Sequence, residues 1–126
     1  MAKTPLHCGI TLRLYRDNKV FGPGVAELLE TVRSTRSLRS AAMKMDMAYS
    51  KAWKVINEAE KGLGFTLLDT ATGGRQGGGA TLTEDAERLL THYRAFEIES
   101  KRAVEAAYQK HFMGYLDAVQ AEKPKG

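Results

Sequence analysis

The chain has 126 residues, with 19 Lys and Arg against 15 Asp and Glu, a net charge of +4 and 43% hydrophobic residues. This length fits one domain with a packed core, which excludes a disordered or fibrous chain. The sequence has no long apolar run, and its single cysteine, Cys8, excludes an internal disulfide framework. We therefore expect a cytoplasmic protein with no membrane span and no signal peptide.

Positive charge is concentrated in the first half of the chain. Residues 1–61 carry 11 Lys or Arg against 6 acidic residues, whereas residues 62–126 carry 8 against 9. Within residues 33–61 the tally is 7 basic against 3 acidic. Such an asymmetry suggests a nucleic-acid partner only if a recognisable docking element carries the charge.

The first predicted elements are a β-hairpin and an amphipathic helix. Residues 10–15 alternate between apolar and polar, residues 16–19 have turn chemistry, and Val20 and Phe21 start a returning strand. Pro23 suits the first position of a helix, where its missing N–H costs nothing. The apolar stripe of this helix consists of Val25, Leu28, Leu29 and Val32.

Two further helices follow at close spacing. Ser37 is a suitable N-cap for a short second helix, and a third helix runs to about Gly62. Their inner stripes are Leu38, Ala41, Ala42 and Met45 in the second helix and Ala52, Val55, Ile56 and Ala59 in the third. Two short helices joined by a turn of about three or four residues are typical of a helix-turn-helix.

A second hairpin follows the third helix. Residues 65–69 and 80–82 read as strands, and the glycine-rich residues 70–79 between them are unsuited to packing. A helix-turn-helix followed by such a hairpin predicts a mainly α fold with small β elements, a winged helix-turn-helix.

A long C-terminal helix is predicted after the wing. Thr83 caps it, acidic residues occupy its first turns, and it runs to about Leu116, with Gly114 as a place where it kinks or ends. At about 1.5 Å per residue it is about 50 Å long, so its apolar stripe needs a partner such as a second copy. A heptad-like seam for dimerisation consists of Leu89, Tyr93, Phe96, Ser100, Ala103 and Ala107. A second ladder consists of Leu90, Val104, Tyr108, Phe112, Tyr115 and Val119.

These elements predict four parts of the chain. They are an N-terminal arm (residues 1–9), a winged helix-turn-helix (10–83), a dimerisation helix (84–118) and a flexible tail (119–126).

Specific residues add a resemblance to this pattern. Residues 47–58, with Tyr49, Ala52 and Trp53, and the glycine-rich residues 71–83 occur together in the order of a known family. They resemble the DNA-binding half of the ModE-type molybdate-responsive transcriptional regulators, which are LysR-like winged helices. The similarity runs from about Thr11 to Val104 and implies a DNA-binding regulator.

Three departures from the ModE pattern limit what the resemblance implies. Molybdate-sensing members carry an oxyanion-binding region after the long helix, and this sequence ends where that region would begin, so we expect no attached molybdate-sensing domain and no cofactor. Ala48 stands where a capping Ser is usual, with Asp46 as the alternative cap for the third helix. Asp46 itself stands where a turn Gly is common, and Gln76 interrupts the glycine run.

The predicted DNA contacts come from three places. An α-helix fits the major groove, its N-terminal residues reach base edges, and cationic side chains contact phosphates. Trp53 lies beside the inner stripe, where it either packs or reaches the DNA. The contacts are Tyr49, Ser50, Lys51 and Lys54 on the third helix, Arg36, Ser37 and Arg39 at the second, and Arg75 and Gln76 on the wing.

Other classes of function are weighed against this one. Residues 73–79 lack the Gly-Lys-Ser/Thr ending of a phosphate-binding loop and run into a strand. We therefore expect that the protein is not a nucleotide-binding enzyme or an enzyme of another kind. His7 and Cys8 are adjacent and poorly placed to hold a metal, so we expect no metal site. We predict a homodimeric regulator that binds pseudo-palindromic double-stranded DNA, and the alternative is a winged-helix module that binds another protein through its long helix.

Overall fold

The computed structural model describes residues 4–70 and 79–122. They fall into two compact units. The first, here called the winged unit, is Thr11–Tyr93, and the second, here called the terminal unit, combines residues of the N-terminal arm up to Ile10 with the chain from Arg94 onward. The boundary between the two units lies inside the long helix.

The winged unit opens with the predicted hairpin and helix. Strands β1 (Leu14–Tyr15) and β2 (Lys19–Phe21) are antiparallel, and helix α1 (Pro23–Thr35) follows directly. The first strand is shorter than predicted because β2 offers only three residues to pair with and the register shifts between the two residues of β1. Pro23 begins α1 as predicted, and the four apolar stripe residues are all buried.

Helices α2 (Leu38–Lys44) and α3 (Tyr49–Leu63) form the helix-turn-helix. The hydroxyl oxygen of Ser37 accepts a hydrogen bond from the Ser40 N–H at 3.0 Å, which confirms the predicted N-cap. Ala48 is the N-cap of α3 and provides no side-chain hydrogen bond, so the prediction that Asp46 caps this helix is wrong. Asp46 instead adopts a left-handed backbone conformation with φ of 56°. This conformation explains why glycine suits the position.

The wing consists of strands β3 (Leu68–Thr70) and β4 (Ala80–Leu82), which pair antiparallel. Strand β3 begins later than predicted because the Leu67 and Leu68 N–H groups bond to the Glu60 carboxylate, at 2.7 and 3.4 Å, instead of to a strand. Thr83 closes the wing, since its hydroxyl donates to the Thr66 carbonyl at 2.8 Å and accepts from the Ala86 N–H at 3.0 Å. The predicted cap of the long helix is confirmed.

The core of the winged unit gathers side chains from all of its helices. The Phe21 and Tyr93 rings meet edge to face with centroids 5.1 Å apart, and the Tyr93 hydroxyl donates to the Leu12 carbonyl at 2.8 Å. The start of helix α4 (Glu84–Tyr108) belongs to this core through Ala86, Leu90 and Tyr93. This packing places the unit boundary ten residues into α4.

The terminal unit contains the rest of α4 and a helical continuation. Residues Gln109–Met113 form a π-helical turn, and helix α5 (Gly114–Glu122) follows. Gly114 has helical angles, so the irregularity precedes it and the helix does not end there. Helix α5 also continues past residue 119, the predicted start of a flexible tail.

Within the terminal unit the N-terminal arm lies against one side of α4. The Tyr108 hydroxyl donates to the Leu6 carbonyl at 2.8 Å, and the Cys8 sulfur lies 3.7 Å from a Glu105 carboxylate oxygen. The pKa of the Cys8 thiol is raised, first by desolvation and then by the negative charge of Glu105. The arm therefore covers the Val104 and Tyr108 side of α4, and both of these side chains are half-buried.

Candidate nucleic-acid interface

The candidate interface is the outer surface of the helix-turn-helix. Residues 36–57 contain five Lys or Arg and one acidic residue, Asp46. All five cationic side chains are exposed, and none forms an ion pair with a residue in the described parts of the chain. We call this surface the basic face and define it by Arg36, Arg39, Lys44, Lys51 and Lys54.

Some cationic residues elsewhere in the fold are paired. Arg33 forms a 2.6 Å ion pair with Glu87, and hydrogen bonding to that carboxylate raises the pKa of Arg33. Arg88 pairs with Glu84 at 2.6 Å in the same way. The basic tally of residues 33–61 therefore overstates the free charge by including Arg33.

Helix α3 gives this face its shape. Ala52, Ile56 and Ala59 are buried, so the opposite side of the helix is turned to solvent. Ser50, Lys51 and Lys54 are exposed in the first two turns, and Tyr49 is half-buried. The helix therefore presents small and cationic side chains at the end that a recognition helix uses.

The start of α2 contributes two arginines in different environments. Arg36 follows α1 in a left-handed conformation with φ of 60°, and its carbonyl accepts a 3.0 Å hydrogen bond from the Ala80 N–H at the root of the wing. Arg39 lies over the Tyr49 ring, with its Cζ atom 4.1 Å from the ring centroid. Ser37 uses its hydroxyl oxygen as the cap of α2, which leaves the hydroxyl proton free to be donated.

The base of the wing is held against the helix-turn-helix. Besides the bond from Ala80 to Arg36, a Cβ atom added at Gly79 would lie 3.2 Å from the same Arg36 carbonyl oxygen. The close approach accounts for a glycine at this point of the strand. The predicted contacts Arg75 and Gln76 lie outside the described residues.

Two features of this surface, Lys44 and the backbone conformation of Asp46, are not among the contacts predicted from the sequence. Lys44 is the last residue of α2 and joins the basic face, and the charge count alone was the available signal. The left-handed conformation of Asp46 could be predicted only from the family resemblance, because the ModE pattern commonly has a turn glycine at this position. Trp53 is half-buried, packs against the core and meets the Tyr49 ring edge to face, which favours the packing interpretation.

The predicted dimerisation residues lie in two environments. Tyr93 is only 2% exposed and packs inside the winged unit, so it is not available to a second chain and we remove it from the seam. Leu89 is half-buried against the same core. In the terminal unit, Phe96 is 48% exposed, Ala103 and Ala107 are exposed, and Ser100 is half-buried.

Comparison with known proteins decides the family. Residues 25–87 match the family described as bacterial regulatory helix-turn-helix protein, lysR family. The chain belongs to this LysR family. The match begins in α1 and ends in the first turn of α4, so it contains the whole helix-turn-helix and wing of this LysR-family chain.

Individual relatives share the same region. The chain is 36% identical over 78 residues to the molybdenum transport protein ModE of Azotobacter vinelandii, and this alignment covers 62% of this chain and 29% of the relative. It is 35% identical over 85 residues to the DNA-binding transcriptional dual regulator ModE of Escherichia coli K12. That alignment covers 67% of this chain and 32% of the relative. It is 31% identical over 90 residues to the molybdenum-pterin-binding protein MopB of Rhodobacter capsulatus, in an alignment that covers 71% of this chain and 33% of the relative.

These relatives confirm the ModE-like resemblance. The chain matches about a third of the length of these curated relatives. Neither the family description nor these names denote an enzyme, in agreement with the expectation from the sequence.

Two further observations concern other classes of site. No helix in residues 4–70 and 79–122 is both long and apolar enough to cross a membrane. Within the same residues no cluster of three His, Cys, Asp or Glu side chains is arranged to hold a metal ion.

Proposed function

We propose that this chain is the DNA-binding part of a transcriptional regulator and that α3 enters the major groove. The unpaired cations of the basic face carry the proposal. Residues 36–57 concentrate five exposed cations and a single acidic residue on the helix-turn-helix. Unpaired Lys and Arg beside a helix N-terminus are suited to phosphates and guanine edges. The relative from Escherichia coli is named as DNA-binding, which supports the same function here.

The contacts divide by the chemistry of the side chains. We propose that Lys51 and Lys54 donate to guanine O6 and N7 or to phosphates, and that Ser50 donates to either partner. Arg36 and Ser37 are proposed to contact phosphates beside the groove. Arg75 and Gln76 are proposed to reach the backbone or minor groove from the wing, whose root the Arg36 carbonyl holds through Ala80.

We propose further that the regulator is a homodimer and that the seam of the terminal unit is the dimer surface. The arm covers the second ladder at Val104 and Tyr108, whereas Phe96, Ala103 and Ala107 are exposed. A dimer would present two recognition helices to half-sites about one helical turn apart, the arrangement that a pseudo-palindrome requires. The small side chains at 103 and 107 favour close approach of a second helix.

The π turn extends this seam. A π-helical turn accommodates one extra residue and so rotates everything after it by about 100° relative to a continuous α-helix. Tyr115 and Val119, which continue the second ladder in an unbroken helix, then come into phase with Phe96 and Ser100. Tyr115 is 60% exposed, so its side chain is accessible to a second chain.

The alternative function is a winged-helix module that binds another protein. The exposed apolar side chains of the terminal unit favour it as a second candidate, since they need not meet a copy of themselves. This alternative gives the basic face no role. The molybdenum in the names of two relatives is not carried over, because the matched region is the helix-turn-helix part of the family.

Salt dependence separates the two functions. We expect binding of a fluorescent duplex of about 30 base pairs to weaken steeply between about 50 and 200 mM salt, with a log–log slope of about −0.9 per phosphate contacted. The slope comes from counterions released when cations neutralise phosphates. Binding that is absent at low salt, or that does not change with salt, would contradict the proposed function and favour the protein-interaction module.

Replacement of Asp46 is expected to strengthen DNA binding. Asp46 is the only acidic residue in the stretch of the basic face, so Asp46→Asn should raise affinity roughly two- to fivefold at low salt and less at high salt. Asp46→Gly should raise affinity equally and also relieve the left-handed backbone, increasing the free energy of unfolding by up to about 1 kcal/mol. Titration of the duplex and urea unfolding measure the two effects. No gain in affinity with either variant would place Asp46 away from the DNA.

A further inference from the structure

Three side chains form a stack on the basic face that links the two helices of the helix-turn-helix. The Arg39 guanidinium lies over the Tyr49 ring at 4.1 Å from its centroid. The Trp53 ring meets Tyr49 edge to face, with centroids 6.3 Å apart and an interplanar angle of 76°. Arg39 comes from α2, and the two aromatic residues come from the first two turns of α3.

The stack is anchored at one end and open at the other. Tyr49 and Trp53 are half-buried and both pack against the hydrophobic core. Arg39 is exposed. The aromatic pair therefore forms a fixed support, and the cation lies on its solvent side.

The guanidinium keeps its hydrogen-bonding capacity in this position. Contact with an aromatic face uses the positive charge and none of the five N–H donors of an arginine. Arg39 makes no hydrogen bond or ion pair to any residue within 4–70 and 79–122. An arginine that is restrained but has free donors matches the geometry of a phosphate group.

We propose that Arg39 is a phosphate clamp and that Tyr49 and Trp53 are positioning residues that hold it in place. The inference rests on the proposed DNA-binding function and assigns roles within it. Tyr49 acts through its ring face, which is occupied by Arg39, and not by reading a base with its hydroxyl. Trp53 acts one step further away, by fixing the orientation of the Tyr49 ring.

This division of roles predicts different effects for two substitutions at the same position. Tyr49→Phe keeps the ring face and removes the hydroxyl, so DNA affinity should remain within about twofold of the wild type. Tyr49→Leu removes the ring face and releases Arg39, so affinity should fall about three- to tenfold. The pair is matched, because both variants keep an apolar side chain against the core.

A double-mutant cycle tests the link between Tyr49 and Arg39. Affinity for a fluorescent duplex of about 30 base pairs and mixed sequence is measured across salt concentrations for wild type, Arg39→Ala, Tyr49→Leu and the double variant. Arg39→Ala should lose about tenfold in affinity, and its log–log salt slope should be smaller by about 0.9 for each chain bound. Adding Tyr49→Leu to Arg39→Ala should lower DNA affinity by less than a further twofold, because the Arg39 side chain that Tyr49 positions is already absent.

Two results would overturn the clamp. One is a loss of DNA affinity with Tyr49→Phe as large as that with Tyr49→Leu, which would mean that the Tyr49 hydroxyl contacts the DNA. The other is independent losses in the double variant, with an unchanged salt slope for Arg39→Ala. Arg39→Ala changes an exposed residue and removes no core packing, so this arm of the test does not depend on the folding of the Tyr49 variants.

The same data separate failure of the clamp from failure of the proposed function. If Lys54→Glu weakens binding while the Arg39 and Tyr49 variants do not, the clamp is wrong and the DNA-binding function stands. If the wild type shows no salt-dependent binding of the duplex, the proposed function fails and the clamp fails with it.

Discussion

Lys54→Glu is expected to weaken binding to duplex DNA by about 100-fold or more at low salt. Lys54 is exposed in the second turn of α3 and has no ion pair within the described residues. The substitution removes a contact worth about 1–3 kcal/mol in each chain and places a negative charge against phosphates. In a dimer both half-sites lose the contact, which roughly doubles the free-energy loss. Fluorescence anisotropy with a labelled duplex measures the change.

The matched control is Arg102→Glu. Arg102 is also exposed and gives the same change of charge, but it lies in the part of α4 outside the winged unit, about 120° around the helix from Phe96. This variant should bind DNA within about threefold of the wild type, since screening removes most long-range effects of a single charge. Equal losses in the two variants would mean that net charge, and not the face of α3, governs binding. Urea unfolding should give the same free energy for all three proteins.

Phe96→Glu and Ala103→Glu are expected to convert a dimer into a monomer. Both side chains lie on the proposed seam, where a second copy would bury two carboxylates facing each other without cationic partners. Sedimentation equilibrium should give the 13.9 kDa mass of one chain for either variant and twice that mass for the wild type. Because Ala103 is exposed, its replacement removes no packing within the chain.

Ala95→Glu is the control for the seam. Ala95 is exposed and precedes Phe96, but an α-helix turns its side chain about 100° away from the seam. This variant should remain a dimer. A wild type that sediments as a monomer at all concentrations, or an Ala95 variant that dissociates as readily as the Phe96 variant, would contradict the proposed seam. The monomeric variants should also lose affinity for a symmetric site, since each half-site then binds alone.

Local sequence signals predicted most of the winged unit. The apolar stripe of α1 is buried as its spacing predicts, and the caps at Ser37 and Thr83 form the expected hydrogen bonds. These features depend on helical periodicity and on contacts within a few residues, which the sequence displays directly. The family resemblance depended on the same region and is confirmed there.

Features that depend on distant partners were not predictable in this way. The length of β3 depends on the Glu60 carboxylate, seven residues before the first N–H that it binds. The contact between Arg39 and Tyr49 joins side chains ten positions apart on two helices, and neither residue reveals it alone. The π turn at Gln109–Met113 has no marker in the residue types, and such turns are rare interruptions of α-helices. Burial of Tyr93 depends on Phe21 and Leu12 from the opposite end of the unit.

Selection of bound duplexes from a random DNA pool tests the central proposal most directly. We predict enrichment of one consensus with two-fold symmetry, whose half-sites lie about one helical turn apart, because two copies of α3 read successive major grooves. Lys54→Glu, carried through the same selection, should enrich nothing. A pool that stays unenriched with the wild-type protein at low salt would contradict DNA recognition by this face.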